Sequence, residues 1–181
     1  MAGNASMRRK RSKKRSYKRA MQSSPDVVGP TPDVQKLMFI LNLVFNRPDE
    51  RRGLLMNRFI HPEAEMVSVG VLDDRLTFYD SDAEEHIELT AAQKKRPGFI
   101  GSTMTLYNQW MDKDENVTGE TKKTFRNKKG FFTIAEVVEK ICEFEITDRP
   151  KSKWFGGIDA HHVFYEGMSK GEKGYSIRYG S

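Results

Sequence analysis

Apolar residues between positions 33 and 60 recur at helical spacing and predict two helices. The first covers residues 33–45, with Thr31 as its cap and Pro32 at its first helical position. The second begins near Pro48 and ends at about residue 60, because the residue before Pro62 disfavours the helical conformation. The wide apolar face of the first helix indicates that it is largely buried.

Shorter runs of alternating or β-branched residues predict strands. Three are short and follow the second helix, and two longer ones close the chain around a turn at residues 167–174. The five predicted strands cover residues 63–69, 76–79, 86–89, 154–166 and 174–179.

Residues 98–111 return to helical spacing and predict a third helix, with Ser102 as a candidate cap. The polar and charged residues 112–126 predict a loop that follows it.

The segment 134–146 fits two patterns. Thr133 and Glu136 resemble a capping box, and the apolar residues that follow fit a helix face. The same residues also alternate as in a strand, and they are rich in β-branched and aromatic side chains. We favour a strand over residues 137–147.

This order of elements describes an α+β domain. Together with residues 54–70 (LLMNRFIHPEAEMVSVG), it resembles the nuclear transport factor 2-like superfamily, especially its SnoaL-like and ketosteroid-isomerase-like members. Residues 59–66 (FIHPEAEM) fit the family's junction between paired helices and the first strand. The resemblance implies three helices packed in a curved, mostly antiparallel, cone-like sheet, preceded here by a disordered basic arm.

The resemblance covers residues 33–180 and departs from the family in its long segment 112–132 and in the arm, which is foreign to the catalytic members. It implies a pocket inside the cone, able to hold a small-molecule ligand, and a homodimer formed through the sheet. The polar-tipped side chains expected to line the cone are Tyr79, Tyr107, Trp110, His161 and Tyr165.

Charge divides the chain into two unlike parts. Nine of the first nineteen residues are basic, and no acid precedes Asp26. The other residues carry 22 basic and 25 acidic side chains, a balance of −3 (22 − 25), although the whole chain is +6. We therefore predict a disordered basic arm and linker over residues 1–30 and a folded domain over residues 31–181. The basic residues of the arm are Arg8, Arg9, Lys10, Arg11, Lys13, Lys14, Arg15, Lys18 and Arg19.

A dense run of cations without acids indicates one of two binding partners. It can neutralise the phosphates of a nucleic acid, or it can be captured by an import receptor. These alternatives stay open, and both favour an intracellular protein, in the nucleus rather than the cytoplasm. No apolar run reaches the roughly 18 residues that span a bilayer, so we expect no membrane partner.

Candidate catalytic chemistry is sparse. Asp159 and His161 lie two apart on a predicted strand, so they share a face and are candidates for acid–base work, although a structural contact is the more ordinary interpretation. We expect no cofactor and no metal. A calcium loop beginning at Asp112 is rejected, because Val117 stands where glycine is required and Lys123 where the chelating glutamate belongs.

Three functions follow from these observations. The first is a non-enzymatic binding and dimerisation module that carries a basic arm. The second is a SnoaL-like isomerase or dehydratase that uses an acid–base residue in its pocket. The third is a small capsid or ribosome-associated protein with a packaging arm. The two predicted N-terminal helices stand against the third, since a jelly-roll shell domain opens with strands.

Overall fold

A computed structural model describes the chain over residues 28–46, 55–56, 59–60, 65–80, 83–112, 114, 116–151, 153–154 and 157–181. The basic arm and most of the predicted linker lie outside these residues. Gly29–Pro30, at the end of that linker, forms a short strand against Ile100 and Phe99. The described part of the body therefore begins at Val28.

The body is α+β and dominated by strands. Among the described residues α3 is the only long helix, so the prediction of three packed helices is wrong. The helices are α1 Pro32–Gln35, α2 Ala91–Lys94 and α3 Ile134–Asp148. The strands before α3 are β1 Gly29–Pro30, β2 Leu37–Met38, β3 Leu41–Asn46, β4 Leu55–Met56, β5 Phe59–Ile60, β6 Glu65–Val71, β7 Thr77–Asp80, β8 Glu85–Glu88, β9 Pro97–Ile100, β10 Thr103–Met111, β11 Val117–Arg126 and β12 Phe131–Thr133. Those after it are β13 Lys153–Trp154, β14 Gly157–Asp159, β15 Phe164–Lys170 and β16 Tyr175–Gly180.

The strands form several small sheets rather than one. The largest continuous surface has the order β11-β10-β16-β15, in which β10 and β11 pair antiparallel from Thr103↔Arg126 to Met111↔Val117. A second four-stranded sheet has the order β13-β14-β5-β4. The others are β1-β9-β12, β2-β7-β8 and the pair β3-β6.

Helix α3 packs against the inner side of this body and supplies much of its core. Its residues Ile134, Val137, Ile141 and Phe144 are almost fully buried against strand residues such as Met104. Burying side chains of this kind stabilises a fold by roughly 1.5–3 kcal/mol each.

The strand favoured over residues 137–147 is wrong, and the helix alternative is confirmed. The Thr133 hydroxyl accepts the Glu136 N–H, and the Glu136 side chain accepts the Thr133 N–H, so the capping box is closed. The cap and the helical repeat of the buried positions together outweigh the β-branched content.

The helix predicted over residues 33–45 is also wrong, although its start is confirmed. Thr31 occupies the cap position of α1 and Pro32 is its first residue, but the Thr31 hydroxyl bonds the Gly98 oxygen instead of capping, and the helix ends after one turn. In β3 the chain alternates from buried Leu41 to exposed Asn42, and it pairs with β6. A continuous apolar run fits a helix face and a strand equally well, and here strand pairing decides between them.

The second and third predicted helices fail for the same reason. Leu55–Met56 and Phe59–Ile60 are paired strands, while the rest of that segment lies outside the described residues. Residues 98–111 fall in β9 and β10, where buried Met104 and Leu106 alternate with more exposed neighbours, and Ser102 lies in a turn. The predicted loop 112–126 is mostly β11.

The strands predicted over residues 63–69, 76–79 and 86–89 are confirmed as β6, β7 and β8. The two C-terminal strands are confirmed in part, since the first is divided into β13, β14 and β15. Among the described residues no helix is long and apolar enough to cross a membrane.

Candidate functional site

A polar cleft of about 150 Å³ lies where α3 ends. It is walled by α3, β10, β14 and β16 and by the turn after β14. Its lining residues are Asn108, Phe144, Glu145, Asp148, Arg149, Asp159, His162, Ile177 and Tyr179.

Arg149 contacts several walls of the cleft. Its Nε donates to Glu145 Oε2 over 2.7 Å, and both side chains are about 95% buried, at 6% and 5% exposure. Its Nη1 donates to the backbone oxygens of Asp159 and His162, at 2.9 and 3.0 Å. The guanidinium carbon lies 4.9 Å from the ring centroid of Tyr179. These contacts join the end of α3 to β14, to the turn that follows it and to β16.

Burial dominates the ionisation of this cluster. It raises the pKa of Glu145, an effect that the charge of Arg149 only partly offsets. Burial, together with the neighbouring Glu145 carboxylate, also raises the pKa of Tyr179. The raised pKa keeps the Tyr179 hydroxyl protonated, and this hydroxyl makes no hydrogen bond of good geometry among the described residues.

Asp148 binds two side chains of β10, on the opposite wall of the cleft. Its Oδ1 accepts the indole N–H of Trp110 at 2.8 Å, and its Oδ2 accepts the Asn108 amide at 2.7 Å. Gly119 of β11 makes room for the Trp110 ring, because a Cβ there would overlap it. The carboxylate is therefore committed to holding β10 against α3.

Asp159 lies in the cleft, but it pairs with a different histidine from the one predicted. Its Oδ2 lies 2.6 Å from His162 Nδ1, whereas its Oδ1 accepts the backbone N–H groups of His161 and His162 at 2.8 and 3.2 Å. Burial works against ionisation here, but these hydrogen bonds prevail and lower the pKa of Asp159. The residues leave strand β14 after Asp159, so the shared face expected for Asp159 and His161 does not form.

Of the five residues predicted to line a cone, the four besides His161 do not converge. Tyr79 is exposed on β7 beside His86, and the Tyr107 hydroxyl donates to Glu120 on the other side of the body. Trp110 supports the cleft through Asp148 without lining it. Tyr165 is fully buried and stacks on Phe39, with ring centroids 4.7 Å apart.

Sequence reasoning missed Glu145, Asp148 and Arg149. Their spacing of three and four residues continues the helical repeat of Ile141 and Phe144 with charged side chains. That signal becomes readable once the segment is assigned as a helix. In the part of the chain that the structure describes, no group of three histidine, cysteine or acidic residues could hold a metal ion.

A second candidate site is the outer face, the side of the sheet β11-β10-β16-β15 that points away from α3. Lys123 and Phe125 of β11 face α3, where the Lys123 ammonium bonds Glu143. Their neighbours along the strand therefore point outward. The charged residues of the outer face are Glu120, Lys122, Arg126, Glu166, Lys173 and Arg178.

The described part of the body begins at Val28, which lies beside the core residue Tyr175 and the turn between β9 and β10. The Tyr175 hydroxyl donates to the Val28 oxygen at 3.0 Å, and a Cβ on Gly101 would lie 3.1 Å from the Val28 side chain. The Gly101 N–H in turn donates to the Gly130 oxygen at 2.9 Å, in the turn that follows Arg126 and carries exposed Lys128. Val28 therefore lies near the turn between β9 and β10, which is hydrogen-bonded to the turn between β11 and β12.

Comparison with protein-family models, with curated proteins and with solved structures finds no match to this chain. The assignment of a function therefore depends on the charge distribution and the geometry described above.

Proposed function

We propose that this protein is a non-enzymatic nucleic-acid-binding module, in which the basic arm tethers a mostly β body to phosphate backbones. Nine cations within nineteen residues, with no acid among them, form a segment of high positive charge density. Such a segment binds nucleic acid because each neutralised phosphate releases condensed counterions.

The observation that carries the proposal is the separation of charge along the chain. The arm is strongly positive, whereas the residues after it sum to −3 (22 − 25). The arm's cations therefore do not reflect a generally basic protein.

The test compares three full-length proteins: the unaltered chain, a variant with all nine arm cations changed to glutamine, and a control in which the five arm arginines become lysine. Fluorescence anisotropy with a labelled 20-nucleotide oligothymidine is measured from 50 to 200 mM salt. We expect the glutamine variant to bind about 100-fold more weakly at 0.1 M salt, with a much shallower salt dependence. The lysine control should keep its affinity.

Equal binding by the glutamine variant and the unaltered chain would refute the proposal. If purified protein does not bind the oligonucleotide, yet the same substitutions abolish nuclear accumulation in cells, the arm is an import signal instead.

A second candidate is a capsid or ribosome-associated protein whose arm packages nucleic acid. One specific observation supports it: residues 37–38 and 41–46 are strands, so the first of the two predicted helices, which stood against a β shell domain, does not form. Light scattering of the purified protein, before and after nuclease treatment, tests it. Particles far larger than the 20.9 kDa chain, whose content depends on the arm cations, are expected under this function.

Membership of the nuclear transport factor 2-like superfamily stays a prediction, as do the homodimer through the sheet and the nuclear location. The SnoaL-like enzyme also stays a prediction. It would use the cleft, where Asp159 and His162 are paired and the Tyr179 hydroxyl is protonated. Turnover that survives loss of the arm cations and falls on Asp159→Asn would favour it.

A further inference from the structure

We infer that the outer face of the sheet is a second contact surface for single-stranded nucleic acid, used together with the arm. This inference rests on the proposed function and extends it from the arm to the folded body.

The outer face is positive on a body that is negative overall. Its cations are Lys122, Arg126, Lys173 and Arg178, and its acids are Glu120 and Glu166, a balance of +2 (4 − 2). The residues after the arm sum to −3, so this surface departs from the body's mean charge. A local positive field of this kind attracts phosphate.

Two of these cations are available to a ligand. Lys173 is paired with Glu120, and Arg178 donates to the Glu166 backbone oxygen. Lys122 and Arg126 are exposed and form no ion pair with any described residue. They lie four residues apart on one side of β11, about 13 Å along the strand. A phosphate chain that follows β11 would meet both.

Hydroxyl groups fill the space between these cations. Thr105 of β10 and Thr124 of β11 are bonded to each other through their hydroxyls at 3.0 Å, beside the pair Thr103↔Arg126. Hydroxyl, lysine and arginine side chains are the groups that contact phosphate oxygens. The Tyr107 ring is covered by the Lys173 ammonium, 5.3 Å from its centroid, so the face offers backbone contacts rather than base stacking.

The shape of the face favours a single strand over a duplex. A protein reads a duplex by placing a helix or a two-stranded ribbon in the major groove. Among the described elements the only long helix, α3, packs on the opposite side of this sheet, and β16 continues the pair β10–β11 into a wider sheet, so this face presents neither a helix nor a free ribbon. A flexible single strand can follow a charged surface without entering a groove.

The arm and the outer face are close enough to bind one molecule. Val28 lies nine positions after Arg19 (28 − 19), and a chain of that length spans at most about 30 Å. Binding by the arm therefore raises the local concentration of nucleic acid at the face.

The test uses full-length protein and the oligothymidine assay, with a 20-base-pair duplex as a second probe. The face variant is Lys122→Gln with Arg126→Gln. The control variant is Lys94→Gln with Lys95→Gln, which removes the same charge near α2, on the α3 side of the body. Thermal unfolding of both variants should match the unaltered chain, since neither pair of residues forms an ion pair with a described residue.

We expect the face variant to bind oligothymidine about tenfold more weakly at 0.1 M salt, with a salt slope shallower by about 1.4, or 0.7 for each lost phosphate contact. The control should stay within about twofold. Equal affinities of the face and control variants would overturn the inference. It would also be overturned if the duplex binds the unaltered chain as tightly as the single strand does and the face variant weakens both by the same factor.

The proposed function of the arm and the inference about the outer face can be refuted independently. If the arm variant loses affinity and the face variant does not, this inference is wrong and the proposed function stands. If the face variant loses affinity and the arm variant does not, the tethering role proposed for the arm is wrong.

Discussion

The cleft at the end of α3 and the outer face of the sheet both collect charged side chains, but they differ in where those charges find partners. In the cleft, Glu145 and Arg149 satisfy each other and nearby backbone oxygens, with little contact with water. On the outer face, Lys122 and Arg126 are exposed and form no ion pair with a described residue. Charges that are paired inside a protein hold its elements together, whereas unpaired surface charges are available to a ligand.

The difference predicts that substitutions in the two regions affect different measurements. Changes in the cleft should lower the free energy of unfolding and leave the salt dependence of oligonucleotide binding unchanged. Changes on the outer face should alter the salt dependence of oligonucleotide binding and leave the free energy of unfolding unchanged.

Arg149→Leu is expected to have the largest effect. It leaves the Glu145 carboxyl and two backbone oxygens without their donor, and breaking a buried pair in this way costs about 3–5 kcal/mol. Urea denaturation measures the loss. Arg96→Leu is the matched control, because its pair with Asp33 is 3.7 Å long and exposed, and should cost less than about 1 kcal/mol. Equal losses for the two variants would contradict the buried role of Arg149.

Gly119→Ala tests the packing of β11, which carries cations of the outer face on one side and contacts Trp110, the partner of Asp148, on the other. The added Cβ would overlap the Trp110 ring, so we expect a loss of about 1–3 kcal/mol and a change in tryptophan fluorescence. Gly70→Ala is the control, because nothing lies within 4 Å of a Cβ at that position. A stable Gly119→Ala variant with unchanged fluorescence would show that the ring is not confined there.

Asp159→Asn is expected to lower the free energy of unfolding by about 1 kcal/mol near neutral pH. This is slightly less than the usual contribution of a hydrogen bond to a charged group. The pKa of Asp159 is lowered in the folded protein, so its ionised form stabilises the fold above the unfolded value of about 3.9. That contribution is lost as the pH falls through the lower folded value. The difference in unfolding free energy between the variant and the unaltered chain should therefore shrink as the pH falls below about 4. A constant difference down to pH 3 would contradict the assignment.

The smallest effect is expected from the acidic hairpin β7–β8, where Glu85 and Glu88 are exposed. β11 lies three strand spacings, about 14 Å, from β15, and β7–β8 lies beyond β15 on the side of β2. The Debye length is about 8 Å at 0.15 M salt. Glu85→Gln with Glu88→Gln should therefore change oligonucleotide affinity less than about twofold at that salt. A tenfold gain would mean that net charge, rather than the outer face, controls binding.

The regions that sequence reasoning predicted well are those where local signals agree. The alternating strands β6, β7 and β8 and the capping signals at Thr31 and Thr133 belong to this class. The predictions over residues 33–45 and 98–111 failed because their apolar runs satisfy both a helix and a strand, and the choice depends on distant partners such as β6 and β11.

For the candidate sites as well, local signals could be predicted from the sequence, whereas contacts with distant residues could not. Asp159 was found from its spacing to the histidines, but its partner is His162, because the chain leaves the strand and its carboxylate caps the turn. Arg149 could not be found, since its role comes from Glu145 one helical turn away and from backbone oxygens ten and thirteen residues later in the chain.

By itself the sequence determined the separation of a basic arm from a mildly acidic body, because charge is a property of each residue and needs no fold to exist. It also determined the caps and the alternating strands, whose signals lie within a few residues. Only the tertiary structure decided which apolar runs became strands and which cations stayed without partners. Both depend on contacts between residues far apart in the chain, such as Lys123 with Glu143 on one side of β11 and Lys122 with solvent on the other.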